Sequence, residues 1–176
     1  MVVRVEDLSI GVVSGVTFGV KENEVMGILG MNGAGKSQIM KVLAQEWRRE
    51  GGNVRLLGEE LSKFSNRLNG RYLGVCPQEN VLIDKMSVDD HLNLIGRCKG
   101  LSSTDLAFQR DLIKKVLGLS DYSGKLAEKL SGGNKRKLCC AMSLIGNPKV
   151  LMIDELSAGI DPDAKRCLYK MIKLMK

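Results

Sequence analysis

The chain has 176 residues, 44% hydrophobic and 27% charged, with a formal net charge of +7. That size and balance suit one globular domain with its own core and exclude a disordered or collagen-like chain. The Lys and Arg residues are scattered and aromatics are only 4%, so stacking platforms are scarce and nucleic acid is not the expected partner. No apolar run approaches the ~20 residues of a transmembrane helix, and Glu6 and Asp7 follow Met1 too closely for a signal peptide. The cysteines at 76, 98, 139, 140 and 167 form no C-x-x-C pair, and the single histidine, His91, has no ligand-spaced neighbour. That usage points to reduced thiols in a cytosolic compartment rather than to a zinc site.

In chain order, residues 2–6 and 16–20 alternate as strands do, with Glu22-Asn23 as the following turn. The nearly continuous apolar run Val25 to Leu29 predicts a strand buried on both faces. A glycine-rich loop then opens a helix from about Lys36 to Glu46, with Ile39, Met40, Val42 and Leu43 facing inward. Gly51-Gly52 breaks the pattern, and 53–57 and 72–75 read as strands. From about Ser87 to Asn147 the period is helical. Ser87 with Asp90, and Ser102 with Asp105, read as helix N-caps, while Gly118 and Gly124 mark breaks. A further helix starts at Gly132, carries Leu138, Ala141, Met142 and Ile145 on one face, and is stopped by Pro148. The basic run Lys135-Arg136-Lys137 reads as its exposed face, and His91 as a helix residue. The strand 150–153 and a helix from about Pro162 complete the chain. The fold class is α/β, an α/β core with an inserted helical subdomain.

Gly30-Met31-Asn32-Gly33-Ala34-Gly35-Lys36-Ser37 fits the P-loop pattern, placed between an apolar run and a helix. Glycines let backbone N–H groups turn inward around phosphate oxygens, and the helix start adds its positive dipole end. Lys36 is expected on the β- and γ-phosphates, Ser37 on Mg²⁺, and Gln38 beside them as part of the nucleotide site. Asp154-Glu155 ends an apolar strand, where open α/β sheets bind ligands. Asp154 is expected to hold Mg²⁺ or its water, and Glu155 to act as general base on an attacking water. Gln78, after Val75-Cys76-Pro77, is placed to contact Mg²⁺ or that water. Ser131-Gly132-Gly133 at a helix start forms a second anion site, or simply a Ser N-cap. Two phosphate sites in one chain make sense in a dimer whose copies exchange their Ser131 loops.

This ordered set resembles the nucleotide-binding domain of ATP-binding-cassette proteins. Leu130-Ser131-Gly132-Gly133-Asn134 is similar to the family signature, and Asp161 in Ser157-Ala158-Gly159-Ile160-Asp161-Pro162 to the loop that crosses the dimer interface. Cys76-Pro77-Gln78-Glu79-Asn80-Val81-Leu82, Ser87-Val88 with His91-Leu92, and Asn134-Lys135-Arg136-Lys137-Leu138 resemble the A subfamily, mostly lipid exporters. The resemblance implies a P-loop NTPase core with an N-terminal antiparallel β part and an inserted α-helical subdomain. Residues 1–79 would hold the β part and the P-loop core, 80–147 the helical subdomain, and 148–176 the core strand with its acidic pair. It implies ATP and Mg²⁺ as ligands, hydrolysis in a two-site dimer, and transmembrane domains as partners at the cytoplasmic face of a membrane. The region from Gln78 to Asp90 would face those domains.

Three departures accompany the resemblance. The family's switch histidine lies some thirty residues past the acidic pair, so a chain ending at Lys176 is expected to be C-terminally incomplete. Ser9 to Gly15 lacks the aromatic that stacks on adenine, a contact worth ~1–3 kcal/mol. Leu156 stands where a proline usually follows the general base. The alternatives are a truncated or degenerate fragment that binds nucleotide without turnover, and a soluble cassette ATPase.

Overall fold

Strict alternation would bury every second residue of the first strand, yet β1 (Val3–Ile10) buries Val3, Val5, Leu8 and Ile10. The phase slips because the strand bulges: Asp7 sits at φ 53°, and the register against both neighbours shifts here. The extra residue turns Leu8 back toward the core. The computed structural model describes residues 1–62 and 70–155, with Pro162, Lys165, Arg166 and Tyr169, as two compact units that divide between 69 and 70.

In the first unit, β2 (Val13–Val20) and β3 (Gly51–Leu56) flank β1 antiparallel, and the short β4 (Glu59–Glu60) pairs with β3. Val5 lies opposite Val54 and Val3 opposite Leu56, all buried. Gly51 and Gly52, expected as a break, instead open β3. Gly52 takes φ +81° against the backbone of Glu6 and Asp7, where a Cβ would not fit. Helix α1 (Lys36–Leu43) buries Ile39, Val42 and Leu43. It ends sooner than expected because Ala44 caps it and Gln45 turns left-handed at φ 62°.

The run Val25 to Leu29 corrects an expectation. It forms no strand, and Val25 and Leu29 are 61% and 95% exposed. A strand exists through its pairing partners rather than through its own propensity, and no described strand pairs with this run.

In the second unit, β5 (Leu73–Cys76) and β6 (Val150–Ile153) are parallel, in register from Leu73–Val150 to Cys76–Ile153. Parallel neighbours need a long crossover, which here is the helical segment. Helix α2 (Val88–Cys98) starts with the expected capping box: Ser87 Oγ accepts from Asp90 N–H at 3.1 Å, and Ser87 N–H donates to Asp90 Oδ2 at 2.9 Å. Helix α3 (Ser103–Leu117) is capped by Ser102 and ends at Gly118, φ 65°. Lys114, buried on α3, donates to Asp89 Oδ1 at 2.6 Å and Ser123 Oγ at 3.0 Å. Leu92, Leu117, Leu119, Leu138 and Ile145 form the centre of this unit's core.

Helix α4 (Gly132–Leu144) buries more than the expected face. Leu138 and Ala141 are buried, as is Ile145 just past its end, and Met142 only partly; Arg136, Cys139, Cys140, Ser143 and Leu144 join them. Arg136 therefore corrects its reading as an exposed residue: it is 2% exposed. Gly74 of β5 lets α4 approach, since a Cβ there would meet the Ser143 carbonyl and the Pro148 ring.

Candidate functional site

The P-loop is built by conformations that only glycine takes cheaply. Gly33 and Gly35 have φ of 83° and 91°. A Cβ on Gly35 would also strike the Val13 side chain. Gly35 is the N-cap of α1, no side chain caps it, and the first turn holds no acid. The first N–H groups of a helix lack partners within it, so this end suits an anion. Lys36 Nζ lies across the loop, donating to the carbonyls of Gly30 and Met31, each at 2.9 Å. Those are neutral acceptors, which phosphate oxygens can replace with stronger, charge-assisted bonds. Asn32, Gly33 and Ala34 are exposed, and Ser37 follows in the first turn of the helix. Gln38 is turned to the β1–β2 connection, where its Oε1 accepts from Val12 N–H at 3.4 Å.

The second unit assembles the acidic pair. Asp154 N–H donates to the Cys76 carbonyl at 2.9 Å, carrying the parallel ladder one step past β6. Glu155 follows at φ 48°, a left-handed conformation uncommon outside glycine. Gln78, just past β5, donates from Nε2 to Glu155 Oε2 at 3.2 Å. The predicted Gln78 and Glu155 are thus in contact through their side chains. Ser131 caps α4 by accepting from Asn134 N–H at 3.3 Å, Ser131 and Gly132 are exposed, and the first turn has no acid. Asp161 lies outside the described residues, as do Cys167 and most of the helix expected from Pro162.

One residue at this site escaped the sequence reading. Arg136 Nη1 donates to the Pro77 carbonyl and to that of Gln78 at 3.1 Å; Nη2 donates to the carbonyls of Asp154 at 2.7 Å and Glu155 at 3.0 Å. A usable signal was present. Arg136 stands three, four, seven and eight residues before Cys139, Cys140, Ser143 and Leu144, the spacing of one helix face. His91 is no ligand. Buried on α2, its Nδ1 lies 2.7 Å from the Ser87 carbonyl and its Nε2 accepts from Ile83 N–H at 2.9 Å. Because Ile83 N–H donates to Nε2, the ring N–H that faces the Ser87 carbonyl is on Nδ1.

The P-loop offers N–H groups and an ammonium that fit the phosphates of a nucleotide, and Ser37 carries a hard oxygen of the kind that binds Mg²⁺. In the second unit, Asp154 carries another. No group of three or more His, Cys, Asp or Glu among the described residues could hold a metal.

A family model described as ABC transporter matches residues 13–158. The cholesterol transporter ABCA5 of Rattus norvegicus is 37% identical over 158 residues, covering 90% of this chain and 10% of that protein. ATP-binding cassette sub-family A member 9 of Mus musculus is 39% identical, covering 90% of this chain and 9% of that protein. The ABC-type organic anion transporter ABCA8A of Mus musculus is 35% identical, with the same two coverages. The chain thus spans about a tenth of the length of the curated relatives it matches. Among solved structures, an ATP binding subunit of an ABC transporter superposes with a TM-score of 0.92 at 25% identity, over 99% of this chain and 75% of that one. A dimeric post-hydrolysis state of the ATP-binding cassette MJ0796 bound to ADP and Pi superposes with a TM-score of 0.88 at 18% identity, over 99% and 83% of the two chains. These structures share the mixed α/β fold with its antiparallel β part.

Proposed function

The chain belongs to the ABC transporter family, and we propose that it is the ATPase cassette of a transporter that moves lipid across a membrane. The observation that carries the ATPase reading is the P-loop itself. Its lysine lies across the loop on two neutral carbonyls, at a helix start free of side-chain caps and acids.

In this reading the N–H groups of Gly33 to Ser37 cradle the phosphates, with Gly30, Asn32 and Gln38 shaping the loop, and Lys36 neutralises the terminal phosphate. Ser37, Asp154 and Gln78 hold the Mg²⁺ sphere, and bound Mg²⁺ supplies charge stabilisation for phosphoryl transfer. Glu155 accepts a proton from the attacking water, and Gln78 keeps that carboxylate oriented. Ser131, Gly132 and Gly133, with Asp161, serve the nucleotide of a second cassette in an ATP-sandwich dimer. The transmembrane domains of such a transporter are its expected partners, and no described helix of this chain is long and apolar enough to cross a membrane. The cassette then works at the cytoplasmic face.

The lipid reading draws on relatives named as cholesterol transporters at 37% identity. An organic anion is the second cargo to test, because ABCA8A is 35% identical. The deciding experiment reconstitutes the full-length protein in vesicles. ATP-dependent movement of labelled cholesterol or phospholipid, absent in Glu155→Gln, supports the proposal. ATP turnover with movement of an organic anion alone overturns the lipid part, and absence of any turnover favours a nucleotide-binding fragment.

A further inference from the structure

Arg136 is a buried charge that forms no ion pair among the described residues. Its hydrogen-bond partners among the described residues are four backbone carbonyls, and its Nε has none. Taking a guanidinium out of water is costly, and an apolar side chain of similar volume often serves stability better. What the arginine provides instead is geometry. One terminal nitrogen serves the end of β5, at Pro77 and Gln78; the other serves the end of β6, at Asp154 and Glu155. The planar fork sets the spacing of the two strand ends in a way a lysine's single nitrogen does not. Glu155 is the residue with the unfavourable left-handed backbone, a conformation that persists only where its surroundings hold it.

We propose that Arg136 is a positioning residue for ATP hydrolysis, pinning the backbone of Gln78 and Glu155 so that the amide and the carboxylate meet. Because Arg136 stands in the first turns of α4, five residues after Ser131, the same clamp ties both side chains to the helix that presents the Ser131 loop. The proposal rests on the reading of Gln78 and Glu155 given above. Arg136 bonds to backbone carbonyls and acts through those two residues.

The test uses the full-length protein and measures turnover and the affinity for a fluorescent ATP analogue on the same samples. Arg136→Lys is expected to lower kcat about 10- to 100-fold, the scale of a small misplacement of a catalytic group, with affinity changed less than about twofold. In a Gln78→Ala background the same substitution should add less than about threefold, because both changes disturb one unit. Parental kcat in Arg136→Lys, a fully multiplicative loss in the double variant, or a joint loss of binding and turnover overturns the role. If Gln78→Ala and Glu155→Gln themselves turn over normally, the assignment of the site falls and this role with it. Impairment of those two beside a normal Arg136→Lys removes the role of Arg136 alone.

Discussion

Gln78 Nε2 donates to Glu155 Oε2 at 3.2 Å, joining residues far apart in sequence across the ends of two parallel strands. Parallel pairing of Cys76 with Ile153 brings the segments level, and each side chain stands two residues past its strand. The amide N–H therefore donates to one carboxylate oxygen and orients that group.

Glu155→Gln keeps the volume and can still bond to Gln78, but its side chain takes no proton. Turnover should fall about 10²- to 10⁴-fold, the usual contribution of a general base, with ATP affinity unchanged. Single-turnover hydrolysis beside equilibrium binding separates the two, and normal turnover would mean that another group is the base.

Lys36→Ala removes the ammonium placed on the P-loop carbonyls. Losing a charge-assisted bond of about 1.5–3 kcal/mol should weaken ATP binding roughly 10- to 100-fold. Titration with a fluorescent ATP analogue measures this. Affinity equal to the parent would sink the phosphate-loop assignment.

Leu138 is fully buried on α4 in the core of the second unit. Leu138→Ala should cost about 2–5 kcal/mol through lost burial and the cavity left behind. Denaturant unfolding followed by circular dichroism reads the change in midpoint. A cost below about 1 kcal/mol would show that the site collapses around the smaller side chain.

Lys99 Nζ donates to the carbonyls of Leu73 at 3.1 Å and Ile145 at 2.8 Å, and burial pulls its ammonium down from 10.5 to about 8. The unfolded chain therefore binds more protons than the folded one between those values, so this group makes stability rise with pH across that window. Below about pH 8 the penalty for the buried charge is complete. Unfolding free energies of the parent minus those of Lys99→Met, taken from pH 7 to 10.5, should increase above pH 8, while groups common to both cancel. A flat difference would mean that the ammonium stays hydrated.

The local features were legible in the residues themselves. The P-loop glycines, the Ser87–Asp90 capping box, the Ser102 cap, the Gly118 stop and the apolar strand before Asp154 all depend on a few neighbouring residues, so short patterns specify them. What sequence could not settle was set by partners distant along the chain. The bulge at Asp7 moves the inward phase of β1, and Val25 to Leu29 remains exposed without a pairing strand among the described residues. The burial of Arg136 is the clearest case. A basic run reads as a solvated face because water is the cheapest place for charge. Only the tertiary structure brings four carbonyls from two strand ends to one guanidinium, and that meeting makes burial tolerable. Motif order thus pointed to the residues proposed for the site, while the folding of α4 against the ends of β5 and β6 decided how Gln78 and Glu155 are held together.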